Sequence, residues 1–206
     1  MKLAVFDFDS TLMKGETLEF LAQTDELKQD MKNVTDLAMN GKLDFFESLT
    51  NRVAKLKGMD VNTVNEICTK LPYNKGAKEL ISKLKENNVK VVCFSGGFVN
   101  ALVPAKINLG FDIFFCNVLH EKEGILTGKV GGEMMFNNSI GNMLAKLQIL
   151  LDVKKEDTMV VGDGANDLSM FKYAEKRVSF CGKEILRQNA NIVIDIPDLC
   201  EIEKYI

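Results

Sequence analysis

The chain has 206 residues, 46% of them hydrophobic and only three of them proline, which is enough to bury a substantial core and too apolar for disorder. Its 26 Lys and Arg and 29 Asp and Glu are mixed along the sequence, which disfavours a polyanion-binding face and hence nucleic acid as a partner. Five dispersed cysteines without a CxxC pair fit buried free thiols in a reducing compartment, and no apolar run approaches the roughly 20 residues of a membrane span, so a cytoplasmic protein is expected.

The predicted elements begin with an apolar run at residues 3–6, too short for a secretory signal and suited to a buried parallel strand. From 14 to 71 no strand is convincing. That stretch reads as successive helices broken at Thr24-Asp25, at Asn40-Gly41-Lys42 and at residues 57–60, and its place directly after a strand suggests an inserted cap. Ala77, Leu80, Ile81 and Leu84 mark one face of the next helix, and further strand-like runs follow at 89–94 and 113–116. Alternation on either side of residues 121–124 predicts a small β-hairpin within 117–134. A helix over 140–151 precedes strands at 158–161, 178–181 and 192–194. Strands alternating with helices of these lengths predict an α/β fold, a doubly wound parallel sheet. Its core would comprise 1–13 and 72–206, and 14–71 would form a helical-bundle cap.

The first strand runs directly into Asp7-Phe8-Asp9-Ser10-Thr11-Leu12, and the strand at 158–161 runs into Gly162-Asp163-Gly164-Ala165-Asn166-Asp167. In an open α/β sheet ligands bind at the C-terminal strand ends, so two strands deliver carboxylates to one edge. Four acids gathered there repel one another, and a bound Mg²⁺ is the physical remedy. Neither segment has the glycine and glutamate spacing of an EF-hand. A third strand ends in Ser95-Gly96-Gly97 ahead of a helical segment, where amides and a hydroxyl would hold phosphate oxygens. No GxxxxGK[ST] is present, and His120, the only histidine, lies in a charged alternating segment and reads as solvent-facing, so acid-base work falls to carboxylates.

Taken together, Asp7-x-Asp9-x-Thr11, Ser95 and the run from Gly162 to Asp167 resemble motifs I, II and IV of the haloacid dehalogenase-like phosphatases, most closely the members that act on O-phosphoserine. Glu16-Thr17, Ala38-Met39-Asn40-Gly41 with Phe45, Arg52-Val53 and Ser95-Gly96-Gly97-Phe98 extend the resemblance over nearly the whole chain. It implies a Mg²⁺-dependent phosphomonoesterase with O-phosphoserine as substrate, the last step of serine biosynthesis, in a monomer or weak homodimer. Asp7 would be the nucleophile that becomes an aspartyl phosphate, and Asp9 the general acid and base. Asp7, the Asp9 carbonyl and Asp163 would bind the metal, with Asn166 and Asp167 supporting the site. Ser95 and Gly96 would grip the phosphoryl group, Glu16 the substrate ammonium and Arg52 its carboxylate, with Met39 and Phe45 as an apolar wall.

The resemblance breaks at the family's third motif, a lysine that neutralises nucleophile and phosphate. Aligning Ser139-x-Gly141-x-Met143-Leu144 with it puts Ile140 in the lysine's place, and Asn142 where an acid is expected. Lys146, six residues on, faces about 240° away around the helix. Loss of one such group commonly costs about 10²–10³ in rate, which predicts a weakened enzyme rather than a dead one. Three alternatives stay open: a related phosphatase or phosphomutase for another small phosphomonoester, a phosphoacceptor signalling domain, and a non-catalytic phosphoserine-binding relative.

Overall fold

A computed structural model describes all residues, 1–206. In chain order it comprises β1 (Leu3–Asp7), α1 (Thr17–Leu21), α2 (Asp25–Met39), α3 (Phe45–Ala54), α4 (Val61–Cys68), α5 (Ala77–Glu86) and β2 (Lys90–Phe98). Then follow α6 (Val99–Leu109), β3 (Ile113–Lys122), β4 (Ile125–Gly132), α7 (Ser139–Leu151), β5 (Thr158–Gly162), α8 (Leu168–Phe171), β6 (Lys176–Phe180), α9 (Glu184–Arg187) and β7 (Ile192–Ile194).

The seven strands form one sheet in the order β4-β3-β2-β1-β5-β6-β7, parallel throughout except for the β3–β4 pair. Every residue of β1 is buried, as expected for a central strand covered on both faces. From β1 the chain winds outward through β2 and β3 on one side and through β5 to β7 on the other, so the switch point lies at the end of β1. Register aligns Asp7 with Phe94 of β2 and Phe6 with Val161 of β5. Residues just past those ends are thereby brought side by side, although they are far apart in sequence.

The predicted strands and helices are present, with shifted ends. The strand expected at 89–94 continues through Ser95, Gly96 and Gly97 to Phe98, so the glycine pair belongs to the sheet edge and α6 begins only at Val99. The hairpin is β3–β4, with β3 longer than expected because it carries the hairpin's first arm. His120 is exposed on that arm, its ring nitrogen 2.9 Å from Thr127 Oγ1. Cys68 and Cys93 are buried, but Cys181 is exposed, because β6 ends at Phe180 and leaves it outside the sheet.

The helix breaks between α1 and α4 coincide with N-caps: Thr24 accepts from the Leu27 amide, Asp44 from Glu47 and Asp60 from Thr63. This helical insert is tied to the hairpin by backbone bonds, Gly58 N to Leu126 O at 2.9 Å, Leu126 N to Met59 O at 2.8 Å and Val61 N to Gly124 O at 2.9 Å. Across the site its other contacts are side chains. Phe46 stacks on Phe136 with ring centroids 5.2 Å apart, Asn137 donates to Asp44, and Lys183 pairs with Asp36 at 2.7 Å. No helix is long and apolar enough to cross a membrane.

On the opposite face of the sheet the start of α7 presses against α8. The Gly141 amide donates to Ser169 Oγ at 3.0 Å, and a Cβ at Gly141 would stand 2.2 Å from the Ser169 carbonyl oxygen. Gly141→Ala must push these helices apart and is expected to lower the unfolding free energy by about 1–3 kcal/mol. Urea denaturation checks this, and an unchanged midpoint would refute the tight packing.

Candidate active site

The loop after β1 turns sharply. Ser10 takes a left-handed backbone at φ 58°, uncommon for a residue with a side chain, and is held there as its amide donates to Gly15 O at 2.8 Å. The Met13 amide closes the turn on Phe8 O at 2.8 Å. This turn sets Asp9 against Thr17, whose amide and hydroxyl both donate to Asp9 Oδ1, at 2.9 and 2.6 Å. It also sets Ser10 Oγ to donate to Glu16 Oε1 at 2.7 Å.

The loop after β5 folds back on its own acid. Asp167 Oδ2 accepts from the amides of Asp163 and Gly164, at 3.0 and 3.1 Å. One carboxylate oxygen each from Asp7, Asp163 and Asp167 lies within 4.8 Å of the others. Asp167, expected only to support the site, therefore stands within the acidic cluster itself. Burial is the main reason that Asp7 and Asp163 rise well above the ordinary carboxylate range, and their acidic neighbours add to it. Burial likewise lifts Asp167 to about 7, against the pull of its two amide bonds. Asp9 is pushed up to about 7 by burial and by Glu16, with the two Thr17 bonds and Arg52 acting in the opposite direction. The four neighbours that act most on Asp7 are all carboxylates.

This donor set fits a hard divalent cation: only oxygens, crowded and buried, with the buried Asn166 Oδ1 lacking any hydrogen-bond partner beside them. The neighbouring strand end supplies neutral donors. Ser95 is fully buried and its Oγ accepts from the Gly97 amide at 2.8 Å, which leaves its own proton free to donate. Gly96 allows a close approach, since a Cβ there would lie 2.4 Å from Phe45 Cζ.

One cleft collects most of the residues singled out in the sequence: Asp7, Asp9, Asp163, Asn166 and Gly96 on the sheet side, and Glu16, Met39, Phe45 and Arg52 from the insert side. Ser95 and Asp167 lie behind this surface rather than on it. Gly97 and Phe98 of the same strand end line it too, as do Leu18 and Leu49, which the sequence did not single out. Arg52 is 3% exposed; its Nε donates to Ser48 O at 3.2 Å and its Nη1 to Thr35 Oγ1 at 2.6 Å. Thr17 follows the recognised Glu16, so its position was a usable signal. Thr35, in the interior of α2, offered none.

Ile140 does not line the cleft. It is 3% exposed and packs into the apolar layer with Leu3, Val5, Val92 and Phe94, while Lys146 is exposed on the outer side of α7.

Thr17→Val deletes the 2.6 Å hydroxyl bond to the half-buried Asp9 carboxylate and keeps the amide bond. A hydrogen bond to a charged group contributes about 1.5–3 kcal/mol, so the variant is expected to lose about that much unfolding free energy in urea, and Thr17→Ser to retain it. Equal stabilities for the two variants would show that the bond contributes nothing.

With this geometry in hand, similarity to known proteins is informative. A family model described as haloacid dehalogenase-like hydrolase matches residues 1–175. The phosphoserine phosphatase of Wolinella succinogenes is 57% identical over 202 residues, covering 98% of each chain. That of Campylobacter jejuni subsp. doylei is 51% identical over 206 residues, covering 100% of both. Among solved structures, a phospho-aspartyl intermediate analogue of phosphoserine phosphatase superimposes with a TM-score of 0.96 at 43% identity, covering 100% of this chain and 98% of that one. A substrate-bound phosphoserine phosphatase complex gives 0.95 at 42% identity with the same coverage. Fold, acidic strand ends and similarity along the whole chain agree that this protein belongs to the haloacid dehalogenase-like hydrolase family.

Proposed function

We propose that this hydrolase cleaves O-phosphoserine to serine and phosphate in the cleft between sheet edge and helical insert. The observation that carries the reading is that one cleft holds Asp7, Asp9 and Asp163 on one side and the opposite charges of Glu16 and Arg52 on the other. A phosphate at the acidic end then leaves an ammonium for Glu16 and a carboxylate for the Arg52 fork, a pattern that sugar phosphates lack. Relatives named phosphoserine phosphatase at 57% and 51% identity support the same substrate.

In this reading Asp7 attacks phosphorus and the bond to the serine oxygen breaks, leaving an aspartyl phosphate. Asp9 gives its proton to the departing oxygen, then takes one from the water that attacks the phosphorus and frees Asp7. A carboxyl lifted to about 7 by burial and Glu16 suits both duties. The Ser95 hydroxyl and Gly96 amide hold the phosphoryl oxygens, and Met39 and Phe45 exclude water from the apolar side. Asp7, the Asp9 carbonyl and Asp163 would hold Mg²⁺, with Asn166 and Asp167 supporting it and Asp167 near enough to bind directly. The bound ion supplies the positive charge that draws phosphate among carboxylates. Residues 14–71 act as the cap that selects the substrate, and 1–13 with 72–206 as the core that performs the chemistry.

Malachite-green phosphate release tests the substrate: O-phosphoserine should be turned over well ahead of sugar phosphates, and parity between them would remove the amino-acid reading. Mg²⁺ should also stabilise the folded chain, by about 2.7 kcal/mol at a hundred times its Kd, seen as a rise in melting temperature that Asp163→Asn abolishes. A melting temperature indifferent to Mg²⁺ would exclude the metal site.

Ile140 bears on rate. A lysine there would run its stem through the apolar layer and carry an ammonium toward Asp7, whose strongest charged influences are all acidic. Ile140→Lys is expected to raise turnover by about 10²–10³. Unchanged turnover in a folded variant would mean that position 140 does not supply the missing charge.

A further inference from the structure

The buried Arg52 and the half-buried Glu16 line the same cleft, and Glu16 is the largest charge acting on Arg52, with Asp9 next. Left free, a buried guanidinium would close on this opposite charge, and the two would neutralise each other. They do not pair. Each is held instead by a neutral hydroxyl: Glu16 by Ser10 Oγ at 2.7 Å, Arg52 by Thr35 Oγ1 at 2.6 Å.

The Thr35 bond has a fixed sense. Thr35 is 4% exposed and its hydroxyl proton is committed to Met31 O at 2.9 Å, one turn back along α2, so its lone pairs face Arg52. With Nε on Ser48 O, two of the five guanidinium N–H groups are occupied and three remain, enough for an end-on fork to a carboxylate. We propose that Thr35 is the positioning residue that sets the substrate preference of this cleft: its hydroxyl holds Arg52 clear of Glu16, so that the two present separate charges to a zwitterionic ligand. The inference rests on the reading of Arg52 as the carboxylate reader. It places the decisive contact in a threonine on the adjoining opening beside Glu16, Met39 and Asp163, behind Arg52 rather than on the wall it shares with the acids.

The test compares O-phosphoserine with phosphoethanolamine, which keeps the phosphate and the ammonium and lacks the carboxylate. In Thr35→Val, nearly the same shape without the hydroxyl, the ratio of kcat/KM for the two substrates should fall by about 10- to 100-fold, chiefly through KM for phosphoserine. Phosphoethanolamine turnover should stay within about threefold, reporting an intact fold and intact chemistry. Thr35→Ser should behave as the parent. Should the valine variant fail to fold, Thr35→Ala removes the hydroxyl without added bulk and carries the same expectation. The ratio of calorimetric Kd values for the two compounds gives the same comparison without turnover. Equal losses on both substrates, or an unchanged ratio, would overturn the proposal. Arg52→Gln separates the two levels: if it abolishes the preference and the Thr35 variants do not, only the role of Thr35 falls. If Arg52→Gln keeps the preference, the carboxylate reading falls and takes Thr35 with it.

Discussion

Mutual repulsion among buried carboxylates is the constraint around which this molecule is organised. At 4.8 Å two full negative charges repel by about 3 kcal/mol even at an effective dielectric constant near 20, and Asp7, Asp163 and Asp167 make three such pairs. What resists the repulsion is backbone. Asp7 ends a strand buried along its whole length and bonded on both sides, and Asp167 is pinned by the amides of Asp163 and Gly164. Acids on flexible loops would turn outward to water. Acids fixed at strand ends stay together, and the free energy of their crowding becomes affinity for whatever cation relieves it.

The helical insert completes the cleft with a different kind of attachment at each edge. At the hairpin the chain is sewn down by backbone hydrogen bonds. Across the cleft the seam is made of side chains, an aromatic stack, an amide-to-carboxylate bond, a half-exposed ion pair and the packing of Phe45 and Met39 on the Gly96 and Gly164 backbone, with no backbone pairing. The stack contributes about 0.5–1.5 kcal/mol and a surface ion pair about 0–1 kcal/mol, so this edge is the weaker of the two by construction. A cleft that must exclude water during chemistry and admit a charged molecule beforehand is well served by such an asymmetry.

Much of this was legible in the sequence because it is local. A strand followed at once by Asp-x-Asp can be read from periodicity alone, and so can the helix breaks at Thr24 and Asp60, since a cap acts within three residues of itself, whereas the break read at Asn40-Gly41-Lys42 is capped two residues further on, at Asp44. The sequence pattern ends the strand at 94 because Ser-Gly-Gly has turn chemistry, yet pairing of Phe98 with Asn117 of β3 keeps it in the sheet. Asp167 was assigned a supporting role because spacing does not reveal that its loop folds back to bring it beside Asp7. Thr35 and Lys183 were invisible for a stronger reason. Their partners are 17 and 147 residues away, and a threonine inside a helix or a lysine before one has a hundred unremarkable explanations.

Ile140 turns the same electrostatic constraint into a statement about division of labour. The only cation lining the cleft is Arg52, on the insert side, where it faces Glu16 and Asp9 rather than Asp7. At Asp7 the residue that could have carried a charge packs as hydrocarbon against the central strands, under a helix seated by the Gly141 contact with Ser169. Among the charges that act most on Asp7 none is positive, and Lys183 reaches the cluster only through Asp163. In the proposed reading most of the counter-charge at Asp7 would come from the bound ion, whose own charge the surrounding carboxylates already offset. On that reading, stabilising the transferring phosphoryl group falls to neutral donors, the Ser95 hydroxyl and the amides beside it. Such dipoles are effective because they are fixed before the substrate arrives, which is what the extension of β2 through Ser95 and Gly97 achieves.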